Sequence, residues 1–114
     1  MPGVSVHAVD VARGAPAAGL MVELWALDGG RRRIAGGALS ASGTLDDPAL
    51  ATAEPGHYEA LFYIGDFYRG LGHVQSDPPF LDVVPFRFGI ADAAEHYHLP
   101  LKLTPWGFSL FRGA

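Results

Sequence analysis

Leu20-Met21-Val22-Glu23-Leu24-Trp25-Ala26-Leu27 puts Leu20, Val22, Leu24 and Ala26 on one side of an extended chain. Side chains repeat every two residues in a strand and every 3.6 in a helix, so this octet reads as a strand with one buried face. Gly29-Gly30 then closes a hairpin into a second strand over residues 33–39. Upstream, Val4 to Val9 carries valine at 4, 6 and 9, with Ser5 and His7 on the face opposite Val4 and Val6. Arg13-Gly14-Ala15-Pro16 reads as a turn. Downstream, Ser42-Gly43 turns again and opens a loop from Leu45 to Gly56, with a short edge strand expected near 44–47. Further strands are expected over 57–64, 82–90, 96–103 and 106–111. Asp66 to Gly72 reads as one short helical turn, with Asp66 as its N-cap.

About eight short strands and one helical turn make an all-β chain, and a half-buried sheet needs a second sheet to cover it. Glycine and proline together occupy 24 of 114 positions, 15 and 9, spread along the whole length, which disfavours long helices. The length suits a single domain over 1–114. With 49% apolar residues it can bury a core, and with no cysteine that core must hold by packing. Eight Lys and Arg against twelve Asp and Glu give a net charge of −4, no basis for binding nucleic acid or an anionic membrane. The basic run Arg31-Arg32-Arg33 reads as a solvated turn. No apolar run approaches the roughly 20 residues of a membrane span, and no signal-like start is visible, so a soluble cytoplasmic protein is expected.

Histidine is the informative residue type. His96 and His98 flank Tyr97, so on a strand both imidazoles share a face about 7 Å apart. His7 sits mid-strand beside Ser5 and Asp10. An imidazole titrates near neutrality and can take a proton from water and return it, as hydrolysis at pH 7 requires. Spacing alone leaves three readings open: a catalytic pair, a structural or surface pair, and a three-histidine zinc site. No G-x-S-x-G elbow presents a nucleophilic serine, and no glycine-rich phosphate cradle follows a strand.

Two segments resemble a known family. The first is Val4-Ser5-Val6-His7-Ala8-Val9-Asp10-Val11-Ala12-Arg13-Gly14-Ala15-Pro16-Ala17-Ala18-Gly19, and the second is Glu95-His96-Tyr97-His98-Leu99-Pro100-Leu101-Lys102-Leu103-Thr104-Pro105-Trp106-Gly107-Phe108-Ser109-Leu110-Phe111-Arg112-Gly113-Ala114. Together they resemble the transthyretin-like family on its 5-hydroxyisourate hydrolase side, whose chains close on H-Y-H-x-P-L-L-x-S-P-Y-G-Y-S-T-Y-R-G-S. The resemblance implies a sandwich of two four-stranded sheets with one short helix. It also implies a homotetramer, a dimer of dimers with active sites in a channel between dimers. The implied reaction is hydrolysis of the lactam of 5-hydroxyisourate without a cofactor or metal. The family's two catalytic histidines fall on His7 and His98, and substrate contacts are expected from Ser5, Thr44, His96, Trp106, Phe108, Phe111, Arg112 and Ala114.

Several positions depart from the enzyme pattern. The family's D-G-R turn, which carries its essential arginine, is Ser42-Gly43-Thr44, and the closing Tyr-Arg-Gly-Ser is Phe111-Arg112-Gly113-Ala114. The family's Tyr-Gly-Tyr is Trp106-Gly107-Phe108, and the threonine after the following serine is Leu110. One cation and several hydroxyls are thus replaced by smaller or apolar groups. Three readings follow: the plain 5-hydroxyisourate substrate, a less polar and N-methylated ring against a wall of Trp106, Phe108 and Phe111, or a non-catalytic binder of the transthyretin type. Arg87 is the candidate to replace the missing guanidinium.

Overall fold

In the computed structural model, which describes residues 2–114, eight strands and one helix follow in the order β1 (Gly3–Asp10), β2 (Ala15–Pro16), β3 (Met21–Ala26), β4 (Arg32–Ala38), β5 (Gly56–Tyr63), α1 (Ile64–Gly70), β6 (Val83–Ile90), β7 (His96–Leu103) and β8 (Phe108–Leu110). They form two four-stranded sheets, β2-β1-β7-β8 and β4-β3-β5-β6. All neighbours are antiparallel except β1 and β7, which run parallel from Gly3 beside His96 to Asp10 beside Leu103.

The alternation read in the sequence sets which face is buried. Val4, Val6 and Ala8 of β1 and Tyr97, Leu99, Leu101 and Leu103 of β7 point inward. Against them pack Val22, Leu24, Ala60 and Phe62 of the other sheet, in one continuous core. Each fully buried large apolar side chain stabilises the sandwich by about 1.5–3 kcal/mol. The same alternation leaves Ser5 and His7 on the outer face of the first sheet, together with His96, His98, Pro100 and Lys102.

Asp10, expected beside His7, lies on the opposite face, because three residues along a strand reverse the side. It is fully buried and ties the end of β1 to the helix. It accepts from the Ala12 amide (3.1 Å), Arg13 Nε (2.6 Å) and the Tyr68 hydroxyl (2.8 Å). Burial pushes the Asp10 carboxyl up, but bonds from Arg13 and Tyr68 outweigh it and hold the pKa below the usual value. Desolvation and the Asp10 carboxylate push the Tyr68 phenol well up in return.

Several local expectations are corrected. Ala15-Pro16, read as part of a turn, is the edge strand β2. The edge strand expected at 44–47 reduces to a single bridge between Thr44 and His7. The loop contains a 3-10 turn, Pro48–Ala51, capped by the Asp47 side chain on the Ala49 amide. The helix starts at Ile64 without a side-chain cap, straight from β5, and Asp66 pairs instead with Arg69 inside it. Burial of Ile64, Phe67 and Tyr68 supplies what a cap would have supplied. The basic run is no free turn: Arg31 bonds Glu59 (2.6 Å) and lies 4.6 Å over the Trp25 ring, and Arg33 bonds Glu23 (3.1 Å).

Candidate active site on the outer face of the first sheet

Parallel pairing of β1 with β7 sets Ser5 beside His98 and His7 beside Pro100. Ser5 Oγ consequently lies between two imidazoles, 2.7 Å from His96 Nε2 and 2.6 Å from His98 Nδ1. The hydrogen positions follow from the partners. His96 Nδ1 faces the Pro2 carbonyl at 3.1 Å, and a carbonyl can only accept, so this nitrogen carries the proton. With the proton on Nδ1, Nε2 of the neutral tautomer is the acceptor, and the Ser5 hydroxyl donates to it. The Ser5 oxygen in turn accepts from His98 Nδ1–H. The chain of bonds ends on His98 Nε2, which carries a lone pair and has no protein partner among the described residues. Burial first, then repulsion from His96 and His7 in their protonated forms, lower the His98 pKa, so the ring is neutral at pH 7.

His7 is held the other way round. Its Nε2 donates to the Ser42 carbonyl at 3.1 Å, leaving Nδ1 as the acceptor of the neutral ring. The Ser42-Gly43-Thr44 turn reaches β1 because Gly43 adopts φ +80°. A Cβ at Gly43 would lie 2.5 Å from the Ala8 carbonyl oxygen, so only glycine lets the backbone approach this closely. The turn is pinned by Ala8 N–H to Gly43 O (2.8 Å). In place of a guanidinium it presents hydroxyls: Thr44 Oγ1 lies 2.9 Å from Ser40 Oγ and donates to Asp46 at 3.1 Å.

The chain end forms the third side. Gly113 bridges His98, its amide donating to the His98 carbonyl at 2.8 Å. A Cβ on Gly113 would stand 2.8 Å from His98 Cδ2 and 3.2 Å from the Pro100 ring, so bare backbone packs against the imidazole. Arg112 clamps this segment: its guanidinium lies 4.0 Å over the Tyr97 ring and donates to the His96 carbonyl (3.2 Å) and Glu95 (3.4 Å). Ala114 follows directly, and Phe111, about half exposed, precedes.

The structure thus gathers His7, His98, Ser5, His96 and Thr44, with Arg112 and the Gly113-Ala114 end alongside. It separates Trp106 and Phe108 from them. Phe108 pairs with Leu103, five residues along β7 from His98, or about 16 Å. Trp106 packs near His73 and Phe80, with ring centroids 6.4 and 6.1 Å away. The apolar wall expected of Trp106, Phe108 and Phe111 is therefore not assembled around the histidines within one protomer. Arg87 does not stand in for the missing guanidinium: it lies on β6 of the other sheet and bonds Glu59 at 2.9 Å. Among the described residues no three His, Asp or Glu side chains converge as metal ligands. The role of Ser5 as the link between both imidazoles was hidden in the sequence, because it depends on the β1–β7 register. The cluster opens on the sheet surface, and only Ser5 and His96 of it reach an adjoining cleft of about 360 Å³.

A β-sandwich of two four-stranded sheets with one short helix, carrying histidines on its β1–β7 face, defines a transthyretin-type protein. Sea bream transthyretin shares the fold, with TM-score 0.84 over 98% of this chain and 95% of that one at 24% identity. The chain belongs to the HIUase/Transthyretin family, whose pattern it matches over residues 4–113. It is 46% identical to a 5-hydroxyisourate hydrolase of Mesorhizobium japonicum, over 97% of this chain and 91% of that protein. It is also similar to the solved structure of (S)-allantoin synthase, at 33% identity and TM-score 0.90, matching 98% of this chain but spanning only 43% of that longer one.

Proposed function

We propose that this protein is a 5-hydroxyisourate hydrolase of urate degradation, with His98 as its general base. The observation that carries this reading is the Pro2–His96–Ser5–His98 chain of hydrogen bonds, which puts the proton on His98 Nδ1 and leaves Nε2 with a lone pair and no protein partner among the described residues. A carrier has no need of an imidazole held neutral in one tautomer; a hydrolase does. Full-length relatives named 5-hydroxyisourate hydrolase, such as those of Mesorhizobium japonicum and Rhizobium meliloti, at 46% and 42% identity, support the same substrate.

His98 Nε2 takes a proton from water as the water oxygen bonds to the lactam carbonyl carbon. The C–N bond then breaks, and His98 returns the proton to the departing nitrogen, leaving a carboxylic acid that ionises in solution. His7, fixed by the Ser42 carbonyl, offers Nδ1 to a ring N–H and orients the lactam. Thr44, the Phe111-Arg112 segment and the backbone at Ala114 border the ring. Since Trp106 and Phe108 lie elsewhere in the protomer, nothing in the geometry favours an N-methylated ring over the plain one. The open site fits a homotetramer, two dimers facing each other across the first sheet, in which a second protomer covers the histidines and keeps bulk water out.

The test is decay of freshly generated 5-hydroxyisourate, followed in the ultraviolet, with His7→Ala and His98→Ala. Each variant is expected to lose about a hundredfold or more in turnover. Wild-type rates in both would make the histidines structural and overturn the assignment.

A further inference from the structure

Hydrolysis of a carbonyl-rich ring calls for a positive group to hold its polar edge, and the turn at Ser42-Gly43-Thr44 offers none. We propose that Lys102 is that group: a specificity-determining residue that binds the edge of the substrate remote from the lactam under attack. The proposal rests on the hydrolase reading above.

Three observations carry it. First, strand alternation places Lys102 on the same outer face as His96, His98 and Pro100, while Leu99, Leu101 and Leu103 are buried. Second, the register makes His7 the partner of Pro100, so His98 and Lys102 are its two diagonal neighbours. Diagonal pairs stand about 7–8 Å apart, within reach of long side chains. His98, His7 and Lys102 are therefore three corners around Pro100, with the short side chains of Val9 and Ser109 flanking the lysine. Third, the charge is uncommitted. Arg13, Arg31, Arg33, Arg69, Arg87 and Arg112 each pair with a carboxylate; among the described residues Lys102 and Arg32 have no such partner, and Arg32 lies on β4 of the other sheet.

A planar bicyclic ring laid over Pro100 presents its lactam to His98 and His7 and its far carbonyl edge to the Lys102 ammonium. Because that edge does not change during ring opening, the contact is equal in ground and transition states and acts on KM. The ligand class this selects is a heterocycle with carbonyl or anionic character at both ends, such as urate and its hydroxylated product. A ring methylated at the far edge loses the contact.

Lys102 is exposed, so its replacement leaves the core intact, and thermal melting of each variant checks this. With freshly generated 5-hydroxyisourate, Lys102→Gln is expected to raise KM about tenfold or more, as loss of a charged hydrogen bond does, with kcat within about threefold. Lys102→Arg is expected to recover most of the loss. Unchanged KM in Lys102→Gln, or a loss confined to kcat, overturns the proposal. Calorimetric binding of urate separates it from the hydrolase reading. If wild type turns over nothing yet binds urate about tenfold better than Lys102→Gln, the lysine assignment stands and the hydrolase reading falls. If wild type neither turns over 5-hydroxyisourate nor binds urate, both fall.

Discussion

Ser5→Ala removes one oxygen and tests the tautomer argument at its centre. That oxygen holds His96 Nε2 at 2.7 Å and His98 Nδ1 at 2.6 Å, and alanine leaves both nitrogens without it. Each such bond is worth about 0.5–1.5 kcal/mol. The one to His98 biases its tautomer and ring angle by that amount, or roughly twofold to 13-fold in rate if the base must be Nε2. The fold does not depend on this contact, since Ser5 points away from the core and is partly solvated. The assay is kcat/KM from ultraviolet decay of 5-hydroxyisourate, paired with 15N NMR of the His98 ring. Wild type is expected to show Nδ1–H and bare Nε2; Ser5→Ala should show mixed tautomers and the slower rate. Ser5→Thr, which restores the hydroxyl, should recover both. A folded Ser5→Ala within twofold of wild type, or one that keeps the Nδ1–H tautomer, would mean that Ser5 does not set the His98 tautomer.

Because burial and the neighbouring histidines lower the His98 pKa, its neutral form persists below the ordinary 6.5. The acid limb of kcat/KM should therefore reach half-maximum below pH 6.5, and a midpoint at or above that value contradicts the assignment. Gly113→Ala should push a Cβ into His98 Cδ2, 2.8 Å away, and cost activity while the melting temperature barely moves. Asp10→Ala should cost about 2–3 kcal/mol in denaturant unfolding by stranding Tyr68 and Arg13. The Asp10 carboxyl is depressed on folding, so its ionised form stabilises the protein above the unfolded value of about 3.9. That contribution should fade as pH falls through the lower folded value. Light scattering at micromolar concentration should show a tetramer, and a monomer there would remove the covered active site.

Much of the sandwich was legible because strand alternation is local. Val4, Val6 and Ala8 had to face opposite to Ser5 and His7, and the same rule placed His96 and His98 together. What escaped depends on distant partners. Nothing between Ala15 and Pro16 marks an edge strand until β1 lies beside them. The helix starts where Ile64 and Phe67 find the core rather than where Asp66 offered a cap. The parallel β1–β7 pair joins residues more than ninety positions apart, and with it came the roles of Ser5 and Lys102. Arg87 looked available in the sequence only because Glu59, its partner across β5 and β6, is 28 residues away. Trp106 and Phe108 were grouped with His98 through the family resemblance of the closing segment, whereas the extended chain of one protomer carries them to the far end of the sheet.

The activity proposed for this chain is opening of the 5-hydroxyisourate ring. It is tested most directly by adding the wild-type protein to freshly generated 5-hydroxyisourate at pH 7 and following ultraviolet decay against the spontaneous rate. Decay should accelerate in proportion to protein concentration, and Lys102→Gln should slow it at low substrate. Decay at the spontaneous rate, whatever the protein concentration, would contradict it.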